Sequence, residues 1–192
     1  MVHHFHLAHP SALDIAPGPA LGLDVEACAL DTIQQDMERL PQGVRRLAVQ
    51  LRLALSHDLI WTVITDYENL SGFIPNLASS RLLWRRGSQV GLEQVGCQQF
   101  CGLRFSARVE LELVEQQEDG VLRFRMTQGD FRRFEGAWTV SSDPQGARLL
   151  YELTVQGRPG MPIGLIEQRL REDLAANLRA VQQEAMQRFR AS

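Results

Sequence analysis

From Pro162 to Arg190, apolar residues Leu165, Ile166, Leu170, Leu174, Leu178, Val181, Ala185 and Phe189 mostly recur at steps of three or four. Glu167, Arg171, Glu172, Arg179, Gln182 and Arg188 fill the remaining faces. This pattern predicts one long amphipathic helix. At 1.5 Å of rise per residue it runs on the order of 40 Å, enough to cross a small domain, so its stripe needs a broad apolar partner. The strands between Arg45 and Gly157 can supply one as a curved sheet that wraps the helix.

The residues from Arg45 onward carry the matching signal. Leu47, Val49, Leu51, Leu53 and Leu55 alternate with Ala48, Gln50, Arg52 and Ala54, the period-two pattern of a half-buried strand. Ser56 and Asp58 offer N-cap chemistry to a segment with Leu59, Ile60, Val63 and Ile64 on one side, so two short helices are expected before Pro75. Six short strands follow, beginning near Leu82, Val90, Leu103, Leu122, Phe134 and Leu149. Their connections carry turn chemistry: Gly87-Ser88, Glu118-Asp-Gly120, Gly129-Asp130 and Asp143-Pro-Gln-Gly146. Strands joined this tightly form an antiparallel meander with one apolar face. The expected class is therefore α+β: strand, two short helices, six-stranded meander, then the long helix packed on the curved sheet.

Residues 1–43 follow a different regime. His3, His4, His6 and His9 lead into Pro17-Gly-Pro-Ala-Leu-Gly22, which has turn signals and no period. A largely mobile tail is expected there, with a short strand or helix between Val25 and Arg39, and the folded domain is expected over 44–192. The clustered histidines suit a metal or a plain exposed tail, and the lack of a folded frame favours the tail.

Composition excludes several classes. A formal charge of -3 and a pI near 6.0 argue against a general nucleic-acid binder. All 20 basic side chains are arginine, so neither a Schiff-base lysine nor a P-loop lysine is available. Cys28, Cys97 and Cys101 are few and odd in number, which suits a reducing compartment. On a strand Cys97 and Cys101 share a face but stand on the order of 13 Å apart, so structural thiols are expected. The start MVHHFHLAHP has neither a basic n-region nor an apolar h-region, and no run of about 18 apolar residues occurs. A cytoplasmic protein without a membrane span is expected, and no cofactor or metal is called for.

The element order, with WTVITDYENLSGFIPNL, LEQVG, the FSARV strand, MTQGDFRRFEGAW, LLYELTV and Pro162-Ile-Gly-Leu-Ile-Glu167, resembles the polyketide cyclase/dehydrase and lipid-transport branch of the START-like helix-grip superfamily. The resemblance covers about residues 45–189. It is strongest to cyanobacterial and chloroplast members, which are similar in turn to mitochondrial coenzyme Q-binding proteins. It implies an apolar cavity between sheet and long helix, entered past the paired short helices, and does not identify the ligand.

The inward positions agree with such a cavity. Expected ligand-binding residues are Tyr67, Phe73, Ile74, Phe105, Val109, Phe124, Met126, Trp138, Tyr151, Leu170, Leu174 and Leu178, although in one dimension a cavity wall reads like a packed core. Tyr67, Phe73 and Ile74 are expected to form a gate, whose apolar Phe73 and Ile74 beside Ser71-Gly72 suit either contact with a membrane surface when cargo is exchanged or ordinary packing against the sheet. Among polar candidates, Asp66 either orients a ligand and acts as a base or caps a helix, and Asn76 after Pro75 reads as a turn residue. Glu135 alternates with Phe134 and Gly136 and faces out. Glu93 and Gln94 sit where the alternation slips, a bulge that would aim one of them inward. His57 beside Ser56 reads as a surface or cap residue.

Two functions fit. One is a carrier or chaperone of a hydrophobic small molecule such as a quinone, isoprenoid, pigment precursor or lipid. The other is a polyketide-type cyclase or dehydratase exchanging protons through Asp66, Tyr67 or Glu93. The poverty of the interior in ionisable groups favours the carrier.

Overall fold

The computed structural model describes residues 30–100, 103–161 and 163–191, the side chains at 98–100, 103–105 and 163–166 excepted. In chain order the elements are β1 (Ile33–Arg39), β2 (Val44–Leu53), α1 (His57–Ile64), β3 (Leu77–Arg86), β4 (Gln89–Phe100), β5 (Leu103–Gln116), β6 (Val121–Gly129), β7 (Arg133–Asp143), β8 (Gly146–Gln156) and α2 (Ile163–Ala191). The strands form one antiparallel sheet in the order β1-β2-β8-β7-β6-β5-β4-β3. The expected meander is β3 to β8, and β2 closes onto its last strand. This is the α+β helix-grip arrangement.

Alternation decides which face is dry. Leu47, Val49, Leu51 and Leu53 of β2 are at most 1% exposed, and Leu149, Leu153 and Val155 of β8 join them in the core. Such burial stabilises by roughly 2 kcal/mol per large aliphatic side chain. Helix α1 starts where expected: the Ser56 hydroxyl accepts the Leu59 backbone N–H at 3.3 Å, and Ile60, Trp61, Val63 and Ile64 turn inward. The second expected helix is one 3-10 turn, Leu70–Gly72.

Close approach of the β8 backbone requires glycine at one inward position of β7. A Cβ on Gly136 would sit 2.0 Å from the Glu152 carbonyl oxygen and 2.8 Å from the Phe124 ring. No other residue fits there without moving a strand.

Strand pairing begins before residue 44. Ile33–Arg39 pairs with β2 along its full length, and Ile33 and Met37 pack against the core. Arg39 and Arg45 both bind Glu167, in the first turns of α2, with Arg45 Nε 2.8 Å from Glu167 Oε2. Of the strand or helix expected before Arg39, the structure has a strand, β1, at the sheet edge, where the polar pattern IQQDMER covers little core. Residues 1–29, with the histidine cluster and Cys28, lie outside the described residues.

Helix α2 has 29 residues and packs against α1, β2, β1 and β8. Leu174, Leu178, Val181 and Ala185 are at most 2% exposed and carry that contact. The gap between α2 and the β4, β5 and β7 side of the sheet holds the site.

Candidate functional site

A cavity of about 390 Å³ lies between the sheet and α2. The sheet contributes Gln94, Gly96 and Cys97 of β4, Ser106, Ala107 and Val109 of β5, Phe134 and Trp138 of β7, and Tyr151 and Leu153 of β8. Helix α2 contributes Leu170, Leu174, Asn177 and Val181, one face at steps of three and four. Ile64, Leu70, Phe131 and Met161 close the remaining sides. Pro75, Asn76 and Ser106 are the exposed part of the lining, and Asn76 with the half-buried Asp173 of α2 marks the mouth.

The mouth is built from a strained turn. Asn76 adopts φ 60°, a left-handed conformation that Asn tolerates better than most residues, and its Nδ2 donates to Asp173 Oδ1 at 3.0 Å. The Asn76 carbonyl accepts the Cys97 backbone N–H at 2.8 Å, which fixes the turn to β4. The turn role expected of Asn76 is present, together with a place in the lining.

Inside, the polar groups are neutral. Tyr151 stacks on Trp138, its partner across the β7–β8 pair, with ring centroids 4.0 Å apart and planes 7° from parallel. Burial alone pushes the Tyr151 phenol well above its ordinary value, so it stays a protonated donor. Gln94 donates through Nε2 to Ser80 Oγ at 3.3 Å. The Asn177 Oδ1 is buried and has no hydrogen-bond partner. Among the described lining residues the ionisable side chains are Cys97, Tyr151, Arg169 and Asp173. Arg169 is paired with Glu172 at 2.9 Å, and Asp173 holds Asn76.

Six of the expected ligand-binding residues line this space: Ile74, Val109, Trp138, Tyr151, Leu170 and Leu174. Phe124 is 4% exposed, packs against Phe134 and Tyr151, and belongs to the core. Leu178 is completely buried, and Phe73 and Met126 pack on the same core. The Phe105 side chain lies outside the described residues.

The acid–base candidates sit elsewhere. The Tyr67 hydroxyl donates to Glu115 Oε1 at 2.6 Å, and Arg85 Nη1 lies 2.9 Å from Glu115 Oε2. Burial, then the bond to Glu115, pushes the Tyr67 phenol above its ordinary value. Tyr67 is a buried bracket and does not line the cavity. Asp66 accepts from Arg188 of α2 at 2.7 Å and from Asn69 at 2.9 Å. Glu93 faces outward between Arg81 and Arg108, whose hydrogen bonds hold its carboxyl below the usual range. The slips in register fall in β3, beside Ala78 and Leu83, so β4 keeps its parity and sends Leu92, Gln94 and Gly96 inward.

Asn177 escaped the sequence reading although its spacing marked it: it stands three residues after Leu174 and four before Val181, a polar residue on the apolar stripe. Phe134 was marked inward by its alternation with Glu135, whereas Phe131 and Met161 carried no comparable signal, because they lie outside the strands and helices. Among the described residues no cluster of three or more His, Cys, Asp or Glu is arranged to hold a metal.

The curved antiparallel sheet gripping one long helix around an apolar cavity defines a START-like helix-grip protein. A family model described as polyketide cyclase / dehydrase and lipid transport matches residues 53–182, and the chain belongs to that family. Among solved structures, a STAR-related lipid transfer protein from Xanthomonas axonopodis is 17% identical with a TM-score of 0.70, over 83% of this chain and 97% of that one. The Zhui aromatase/cyclase from Streptomyces sp. R1128 is also 17% identical, with a TM-score of 0.68 over 77% and 97%. A START superfamily protein from Mycobacterium smegmatis is 19% identical, with a TM-score of 0.58 over 75% and 97%. At these identities the likeness establishes the fold. No curated protein matches the sequence.

Proposed function

We propose that the protein binds a hydrophobic small molecule in this cavity and carries or shelters it without transforming it. The observation that carries the reading is the wall itself: apolar side chains from sheet and helix enclose a space of about 390 Å³, within the range that holds drug-sized ligands. The groups assigned to proton exchange, Asp66, Tyr67 and Glu93, do not line it. Kinship with a family described by lipid transport as well as cyclisation supports the same reading. A quinone, isoprenoid, pigment precursor or lipid segment fits its chemistry.

The direct test is native mass spectrometry of the protein from its own host, followed by solvent extraction. A bound apolar molecule recovered unchanged after incubation is the expected result. Consumption of that molecule by the pure protein replaces the carrier reading with the cyclase reading.

A further inference from the structure

On the inner face of β4 and β5, the cross-strand pairs shrink toward the mouth. Leu92 stands opposite Leu111, Gln94 opposite Val109 and Gly96 opposite Ala107. The first pair is buried in the core, whereas the second and third line the cavity. Gly96 also pairs with Leu77, next to the Asn76 turn at the mouth. At that end the two strands offer almost no side chain to the space above them.

The backbone gives no reason for glycine at position 96. The register slip of β3 beside Ala78 falls opposite it, yet the Gly96 φ stays out of the left-handed region. Among the described residues, a Cβ there would meet the Asn76 and Ala107 carbonyl oxygens at 3.8 and 3.9 Å, which is ordinary contact. Gly91 and Gly136 differ: the Trp84 indole at one and the Glu152 carbonyl at the other would lie within 2.2 Å of a Cβ. A glycine inside a strand forfeits packing and stiffness, and where neither a turn nor a neighbouring backbone demands it, it suits close approach by a ligand. Helix α2 packs against α1, β2, β1 and β8, which leaves the space over β4 and β5 to the cavity. On the β7–β8 side the wall carries two large stacked rings, Trp138 and Tyr151.

Resting on the carrier reading above, we propose that Gly96 and Ala107 determine the specificity of the cavity: they bare a platform of β4 and β5 backbone that receives a flat ring of an apolar ligand, with its slimmer remainder running toward Trp138 and Tyr151. A ring laid on bare peptide planes gains dispersion contact over its whole face. A larger side chain at either position takes that contact away and leaves room for a thin chain.

Two uncharged probes test this on the full chain: N-phenyl-1-naphthylamine, which carries a flat fused ring, followed by fluorescence, and 1-octanol, a slim chain, followed by calorimetry. Gly96→Val and Ala107→Leu are each expected to weaken the naphthylamine at least about tenfold and octanol less than about threefold. Both variants are expected to melt at or above the parent, since each puts hydrocarbon into open space. Unchanged naphthylamine binding in both variants overturns the platform while the carrier reading stands. Equal loss of both probes makes the pair a common wall and overturns it too. If the larger side chains lower the melting temperature, Gly96→Ala decides: weaker naphthylamine binding at the parent's melting temperature upholds the platform, and unchanged binding overturns it. Failure of both probes to bind the parent overturns the carrier reading and the platform together.

Discussion

Burial lifts the phenols of both tyrosines of the chain, and their partners set them apart. Tyr67 gives its proton's hydrogen bond to Glu115 under the Arg85 guanidinium, whereas Tyr151 faces a cavity. Tyr67→Phe should therefore cost about 2 kcal/mol in urea unfolding, the range for a hydrogen bond to a charged group, with ligand binding unaltered. Glu167 offers a second residue-scale test. Hydrogen bonds from Arg39, then Arg45, depress its carboxyl from 4.5 to about 2 in the folded chain. A depressed carboxyl stabilises above its unfolded value and loses that contribution as pH falls through the folded one. The melting-temperature gap between the parent and Glu167→Gln should be full at about pH 6 and close between about pH 4.5 and 2.

Helix α2 serves two purposes along one stripe. Leu178 is completely buried outside the cavity, whereas Leu170 and Asn177 belong to its wall. Leu178→Asp puts a carboxylate into hydrocarbon and should lower unfolding free energy by at least about 4 kcal/mol, measured by denaturant titration. A loss below about 1 kcal/mol would show that α2 is not the main cover of the sheet. Alternation on the strands and the stripe on α2 were both legible in the residues, because each is a local period that a half-buried element must have. For β1 the residues left a strand and a helix open, since IQQDMER half-buries polar Gln34 and Asp36 beside Ile33 and Met37, and the strand is fixed by pairing with β2 and by Arg39 reaching Glu167.

For the whole molecule, the proposed carrier function would require the mouth to open for exchange, and the Ile74–Asn76 turn is held to α2 by Asn76 and Asp173. Ile74 lines the cavity while remaining partly accessible. Ile74→Asp should slow transfer of an apolar fluorescent ligand from vesicles several-fold, with a melting temperature near that of the parent, since a half-exposed carboxylate keeps much of its water. Slowed transfer with unchanged affinity would locate the effect at the gate.

The sequence by itself determined the α+β class, the run of antiparallel strands, the covering helix and an interior poor in charge, all of which follow from periodicity and composition. It also carried six of the cavity residues, though mixed with Phe124, Met126 and Leu178, because inward-facing positions have the same pattern whether they fill a core or line a space. Only the tertiary structure decided where α2 stands away from the sheet. That separation depends on sheet curvature and on which strands the helix touches, both sums of long-range contacts. The same geometry turned Asp66, Tyr67 and Glu93 into ion-pair and hydrogen-bond anchors, because a polar group's partner is set by what the fold brings beside it.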